Sequence, residues 1–396
     1  MSLEIKLTKE IYRILKYNEN SSSSLLEIVL KRVRLCGALP ETKRGRILSS
    51  CVLGILFFNI ITILYNIITT SDIIEALDCT LILMGFLLIF YNYYDFQKNS
   101  DKILKLICKV DDYYKKSQKN IHPDMQKRFN FLFSICGIFD YLWSIILAIS
   151  LFLALILKPI IMWEMELPMQ AKYPFDISTK TTFFIVAIFQ AGMFAYNLFV
   201  IVVVDTVVVT IIFYTFMFFE LLHHKVKALD KAGLRDEEAR NILKEIVTEH
   251  QFLNKIVHKT NKVLSGSLSA QIIASYAMLG FSGFMAVATS SPLLCFKFSV
   301  YFFALLSQAS FWCINGHQPH YASEHLSDVL MECNWLDRSV KFRKDFIFVL
   351  ARAQKPILFK GNNDNLVYNY ATLLSICRKS YTAFALLRTM IQDIQF

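Results

Sequence analysis

The chain has 396 residues, of which 55% are hydrophobic and only 19% charged, against about 45–50% and about 25% in soluble domains. Its 34 Phe and 18 Tyr, together with apolar residues gathered into long uncharged runs, exclude a disordered chain, a disulfide scaffold and an ordinary soluble enzyme. The net charge of +10 would suit nucleic acid, but apolar segregation on this scale marks a membrane protein, and no nucleic-acid partner is expected.

Residues 1–46 hold no apolar run of signal-peptide type, so the first span is expected to direct insertion itself. Within them 25–36 is amphipathic, with Leu25, Leu26, Val29, Leu30 and Val33 on one face. Such a helix lies in the membrane interface or dips into it. The apolar runs then predict seven transmembrane helices, each reaching the ~20 residues a span requires. They fall at about 47–69, 73–95, 131–157, 181–227, 266–288, 293–316 and 365–388. The fourth continues past the bilayer. The fifth and sixth come from one 34-residue uncharged run, divided at the turn signal Thr289-Ser290-Ser291-Pro292. The seventh is broken by Arg378-Lys379.

Basic residues set the orientation. Of 42 Lys and Arg, 35 fall in alternate connecting segments and 3 in the others. This bias predicts a cytoplasmic N-terminus and an extracellular C-terminus, the reverse of a G-protein-coupled receptor. The nine Cys show no regular spacing and are read as free thiols. The expected fold is all-α: seven transmembrane helices with cytoplasmic helical extensions that form an assembly domain. Four segments are expected. Residues 1–46 are a cytoplasmic N-terminal segment. Residues 47–230 are a ligand-binding bundle with an external lid loop at 158–180. Residues 231–364 hold two spans and the assembly helices, and 365–396 the pore-lining helix and a short tail.

The cytoplasmic extensions carry apolar stripes. In 236–263 the stripe includes Ile242, Ile246, Phe252, Leu253, Ile256 and Val263; in 324–351 it includes Leu326, Val329, Leu330, Trp335, Leu336, Phe346 and Leu350. Solvated helix extensions and an intracellular assembly domain both fit them. Asp140, Asp205 and Lys297 are charges inside spans. Intramembrane charges are functional candidates by default. Lys297 lies near an outer end and is expected to snorkel; Asp205 is expected to contact a Tyr or a loop. His317, His320 and His325 cluster loosely without completing a metal set, and no phosphate-cradling glycine loop is present. No metal, cofactor or enzymatic activity is expected.

Five motifs now line up in order: Leu167–Asp176 (LPMQAKYPFD), Val202–Val209 (VVVDTVVV), Cys333–Ser339 (CNWLDRS), Arg352–Phe359 (RAQKPILF) and Ser380–Arg388 (SYTAFALLR). With them and the inverted topology, the chain resembles the insect odorant receptors over nearly its whole length. The short loop before the fifth span resembles the tuning (odorant-binding) subunits rather than the family's shared coreceptor. The resemblance implies an odorant-gated nonselective cation channel, assembled as a heterotetramer with the coreceptor in the dendritic plasma membrane of olfactory sensory neurons. Membrane lipid, permeant cations and a small volatile apolar ligand would be its other partners.

The resemblance also places the ligand among the second, third, fourth and sixth spans, in their outer halves. The candidates there, chosen by depth, are Leu77, Thr80 and Leu81; Trp143, Leu147 and Ser150; Gln190, Met193, Phe194 and Asn197; and Phe298, Tyr301 and Phe302. Apolar walls with few polar groups suit such a ligand, and Tyr301 and Gln190 are the leading polar candidates. In the last helix, Thr382, Leu386 and Thr389 share a face. The family's ending puts Leu386 at an apolar constriction, Thr389 near a polar filter and Met390 just outside. Arg378-Lys379 in mid-span argues independently that this helix faces water or protein rather than lipid. Two other readings remain open: a gustatory-type channel working without the coreceptor, and an inverted-topology transporter.

Overall fold

The structure is a computed structural model. It describes residues 25–394 apart from 119, 120, 122, 162–166, 168, 178, 232, 290 and 363–365; of the side chains within its helices it leaves out 150–161 and several others, named below where they matter.

The described chain is almost entirely helical. Ten α-helices follow one another: α1 (Leu25–Cys36), α2 (Lys43–Thr69), α3 (Ile73–Lys98), α4 (Ser100–Gln118), α5 (Pro123–Ile161), α6 (Lys180–Lys227), α7 (Asp236–Ala288), α8 (Pro292–Glu332), α9 (Val340–Ala353) and α10 (Tyr370–Ile394). Their starts follow local chemistry. The Thr42 side chain accepts from Gly45 N at 3.0 Å at the head of α2, and Asp72 accepts from Ile74 N at 2.9 Å at the head of α3. Each meets a backbone donor that a helix start leaves unpaired. Pro292 opens α8, where its fixed φ and missing N–H cost nothing.

Five of these helices, α2, α3, α6, α7 and α8, are long and apolar enough to cross a membrane, counted over the described residues. The chain is thus a multi-pass membrane protein. α5 and α10, at 39 and 25 residues, hold the other two apolar runs. α6 is the mast of the bundle: its most apolar stretch is 83% buried, against 17% for that of α8. From Val203 to Thr215 every residue of α6 is buried. One continuous apolar core runs from Leu26 to Ile376, and so joins all four expected segments.

The expected fourth, fifth and sixth spans are the membrane portions of longer rods. At about 1.5 Å per residue, the 53 residues of α7 extend about 80 Å, well beyond a ~30 Å hydrocarbon layer. The overhangs bury their stripes inside the chain itself. Ile246, Leu253 and Ile256 of α7 and Leu326, Val329 and Leu330 of α8 are all buried. Tyr113 of α4 stacks on Phe252 at 4.3 Å and meets Phe218 edge-on at 4.6 Å. Trp335 stacks on Phe346 of α9 at 5.2 Å. Leu336, from the expected stripe, is instead exposed, together with Ile347 and Phe348 of α9.

α1 does more than rest at an interface. Leu26, Val29, Val33 and Cys36 are buried, and Tyr196 of α6 donates to Cys36 O at 2.9 Å. The last helix starts later than expected, at Tyr370 rather than 365. An antiparallel bridge pairs Lys360 with Val367 ahead of it, and Asn369 Oδ1 accepts from Thr372 N at 2.8 Å as the helix begins. Tyr368 ties this entry down: it is buried, its hydroxyl donates to Leu268 O at 2.6 Å, and its ring lies 5.2 Å from Trp312.

Candidate functional site

Residues of α3, α7 and α8, with one from α10, form a compact aromatic nest. Leu81, Phe284, Met285 and Phe298 are buried together, and Leu77, Tyr301 and Phe384 pack against them. Four of the expected pocket residues, Leu77, Leu81, Phe298 and Tyr301, therefore share one environment. Phe298 and Tyr301 meet edge-on with centroids 6.4 Å apart. Thr80 is on the same helix, but its hydroxyl is spent on Ala76 O at 2.7 Å.

A buried ion pair stands at the rim of this nest. Lys297 Nζ lies 2.9 and 2.7 Å from the two carboxylate oxygens of Asp78, with both side chains largely enclosed. The same ammonium sits 5.3 Å from the Phe298 ring centroid and 5.7 Å from that of Tyr301. The snorkelling expected of Lys297 is thus replaced by a contact from α8 to α3. Burial leaves a cation no water to reach, and a carboxylate at hydrogen-bonding distance takes water's place. Asp78 was not singled out in the sequence. The available signal was depth: one acid and one base, each close to the outer end of its apolar run.

The α6 candidates divide into three roles. Met193 and Phe194 pack against the main core, and Phe194 meets Phe86 edge-on at 6.1 Å. Gln190 is fully committed to the segment that precedes α6. Its Oε1 accepts from Met169 N at 2.9 Å, and its Nε2 donates to Met169 O at 2.9 Å and to the Tyr173 hydroxyl at 3.1 Å. Gln190 therefore fastens that segment to α6 and has no free amide group. Burial pushes the Tyr173 hydroxyl above its ordinary pKa, against the bond to Gln190, so it stays a neutral donor or acceptor. Asn197 is buried with neither Oδ1 nor Nδ2 hydrogen-bonded, and the buried Trp143 Nε1 of α5 likewise has no hydrogen-bond partner. Buried polar atoms in this state are uncommon. The side chains of Leu147 and Ser150 lie outside the described residues.

The segment before α6, which the sequence suggests as a lid, is held from three sides. Beyond Gln190, the Cys79 thiol of α3 donates to Gln170 O at 3.4 Å, and Lys172 Nζ donates to Thr69 O of α2 at 3.4 Å. Tyr173 stacks on Phe175 at 5.4 Å. Phe302 turns away from the nest. It lines a groove of about 490 Å³ between α7, α8 and α10, with Leu279, Gly283, Tyr381 and Phe384.

α10 packs one face on α7. A Cβ on Gly280 would stand 2.9 Å from Ala383 Cβ and 3.1 Å from Ser380 O, so glycine is what lets the two helices approach. Ser380 Oγ donates to Tyr276 O and the Tyr276 hydroxyl to Ser375 Oγ, both at 3.3 Å. The opposite face, with Arg378, Thr382, Ala385, Leu386 and Thr389, is exposed. Leu386 is 61% exposed, a high value for a leucine in an apolar helix. Lys379 instead lies over the Tyr276 ring at 4.7 Å. The Met390 side chain lies outside the described residues, as does that of Asp140. Asp205 meets Gln308 of α8, whose Nε2 donates to its Oδ2 at 2.8 Å. The histidines serve packing: His317 lies 4.2 Å from the Tyr370 ring at the head of α10, and His320 Nδ1 is 3.1 Å from Ile357 O.

Comparison with known proteins agrees with this architecture. A family model described as 7tm Odorant receptor matches residues 69–381. Odorant receptor 47b of Drosophila melanogaster is 24% identical over 343 residues, covering 83% of this chain and 82% of that protein. Putative odorant receptor 65b of the same fly is 25% identical over 310 residues, 76% of each. Among solved structures, the olfactory receptor OR5 of Machilis hrabei in complex with eugenol superposes with a TM-score of 0.73 at 16% identity, over 92% of this chain and 97% of that one. The long apolar helices, the lid, the aromatic nest and a family match over most of the length lead to one conclusion: this chain belongs to the insect 7tm odorant receptor family.

Proposed function

We propose that this chain is the odorant-binding subunit of a ligand-gated nonselective cation channel, assembled with the odorant receptor coreceptor as a heterotetramer, with seven spans, a cytoplasmic N-terminus and an extracellular C-terminus. The observation that carries the reading is the open face of α10. Arg378, Thr382, Leu386 and Thr389 are exposed among the described residues, and a charged residue in mid-span is costly against lipid. A face of this kind is satisfied around a water-filled axis shared by several subunits, where an apolar ring at Leu386 gates by dewetting and the hydroxyls of Thr389 tune selectivity. The positive charge at Arg378 disfavours cations in a homotetramer, which fits dependence on a second kind of subunit. The ligand is a small, largely apolar volatile seated between α3, α5, α6 and α8. The eugenol bound to the Machilis receptor is of that size and chemistry, and the orphaned polar atoms of Trp143 and Asn197 would meet its one or two oxygens. Sensory dendrites are the expected location.

The test is odorant-evoked current from cells that express the chain with and without the coreceptor. Current that needs both ligand and coreceptor supports the proposal. Ligand-gated current from the chain alone favours the gustatory-type alternative, and solute flux without conductance overturns the channel reading.

A further inference from the structure

Between residues 31 and 46 the chain carries six Lys and Arg against one Glu, and from Ile47 it runs uncharged for 25 residues. Orientation in the membrane is served by bases anywhere in a short cytoplasmic segment; these are gathered at one level. Tyr196 of α6 holds the end of α1 through Cys36 O. Gln97, in the last turn of α3, donates to Ser50 Oγ of α2 at 3.3 Å, and Arg46 stands 4.0 Å from Asp101 in the first turn of α4. The segment joining α1 to α2 thus lies beside the polar end of α3, where hydrocarbon gives way to headgroups.

The surface there mixes two kinds of side chain. Leu35 is 80% exposed, Ile47 66% and Leu48 65%, large apolar groups that call for cover. Among them, Arg34 is tied to Glu41 at 2.9 Å, while Lys43 and Arg44 are exposed and join no ion pair among the described residues. α2 opens on Lys43, Arg44 and Arg46 with no acid in its first turn, although a helix start prefers negative charge.

We infer that this face is a docking surface for anionic phospholipid of the cytoplasmic leaflet. Lys43 and Arg44 meet the headgroups, while Leu35, Ile47 and Leu48 enter the acyl region. Charge and depth select this partner together. A basic cluster directly beside a span draws acidic headgroups, by roughly fivefold for each base near the surface. A soluble acidic partner would leave the three apolar side chains uncovered, and a neutral lipid would leave the bases unmatched. The choice of leaflet rests on the topology proposed above.

The test uses the full-length chain in nanodiscs that hold photoactivatable phosphatidylserine and phosphatidylcholine in equal amounts, with crosslinked peptides mapped by mass spectrometry. Over residues 31–51 phosphatidylserine should be favoured about five- to tenfold at low salt, and less as salt is raised. The outer half of α2, around the exposed Tyr65 and Ile68, should take both lipids equally. In Lys43→Gln/Arg44→Gln the preference should fall about threefold or more. Lys341→Gln/Lys344→Gln removes the same charge from exposed positions of α9 and should leave it unchanged. Equal labelling of 31–51 by the two lipids in the unsubstituted chain overturns the inference. So does a full preference in the Lys43/Arg44 variant, or an equal loss in the α9 variant. If the double variant fails to insert, Arg44→Gln alone decides by the same comparison. Both faces of the nanodisc carry the same lipids, so this result does not depend on topology. Topology is read separately from an N-terminal tag on intact cells, where staining without permeabilisation overturns the cytoplasmic N-terminus and the choice of leaflet with it.

Discussion

Removing Lys297 tests whether the α3–α8 contact is the desolvated ion pair that the geometry describes. In Lys297→Met the aliphatic volume is roughly kept, and the Asp78 carboxylate remains where both partners were largely buried and 2.7 Å apart. Stranding one member of such a pair costs about 3–5 kcal/mol. At roughly 2 °C per kcal/mol for a chain of this size, the thermal midpoint of the purified protein should fall by about 5–10 °C. Asp78→Leu should do comparable damage by stranding the ammonium. The double variant, which presents two apolar side chains to each other, should recover most of the loss, because replacing both partners by apolar groups is often neutral. The assay is a double-mutant cycle on thermal midpoints, read beside surface delivery in cells. Single losses below about 1 kcal/mol that simply add in the double variant are the behaviour of a solvated pair, and would refute the reasoning.

Gly280→Leu should wedge α7 from α10, since even a Cβ would come within 2.9 Å of Ala383; the expected cost is about 1–3 kcal/mol, with a shift in basal current that Ala383→Gly partly reverses. Leu386→Ser should raise ligand-independent current in the coreceptor complex, and an unchanged leak in patch-clamp recording removes Leu386 from the gate. Gln190→Leu should release the lid by stranding Met169 and Tyr173, seen as faster hydrogen exchange across 169–177 with α6 unaffected. Burial first, and then the nearby Asp230 carboxylate, push the Cys333 thiol up to about 12; at pH 7.5 a maleimide should label the exposed Cys108 while Cys333 reacts on the order of a thousandfold more slowly.

What the sequence made legible was whatever depends on local composition. The apolar runs, the break at Pro292, the buried face of α1 and the stripes of the overhangs all follow from periodicity and turn chemistry. The continuity of α7 was hidden because hydropathy changes near Val263 while helix propagation does not respond to hydropathy. Partners far apart in sequence were hidden too. Asp78 and Lys297 lie on different helices, and no local pattern says that they meet. Gln190 was legible as a buried amide in need of partners, but the loop that uses it presents backbone atoms, which carry no residue signature. Asp205 was visible as an anomaly and Gln308 was not, since a lone Gln in an apolar helix looks unremarkable until the carboxylate it meets is located.

The enclosure of α6 has a consequence for how receptors of this build can diversify. From Val203 to Thr215 there is no side of the helix on which a larger or smaller residue would go unfelt: enlargement overpacks and truncation leaves a cavity. New odour tuning must therefore be written on more open helices such as α3 and α8 and on the first turns of α6, around an axis that tolerates little revision. The mast is the fixed type, and the walls around it are where a repertoire can be set.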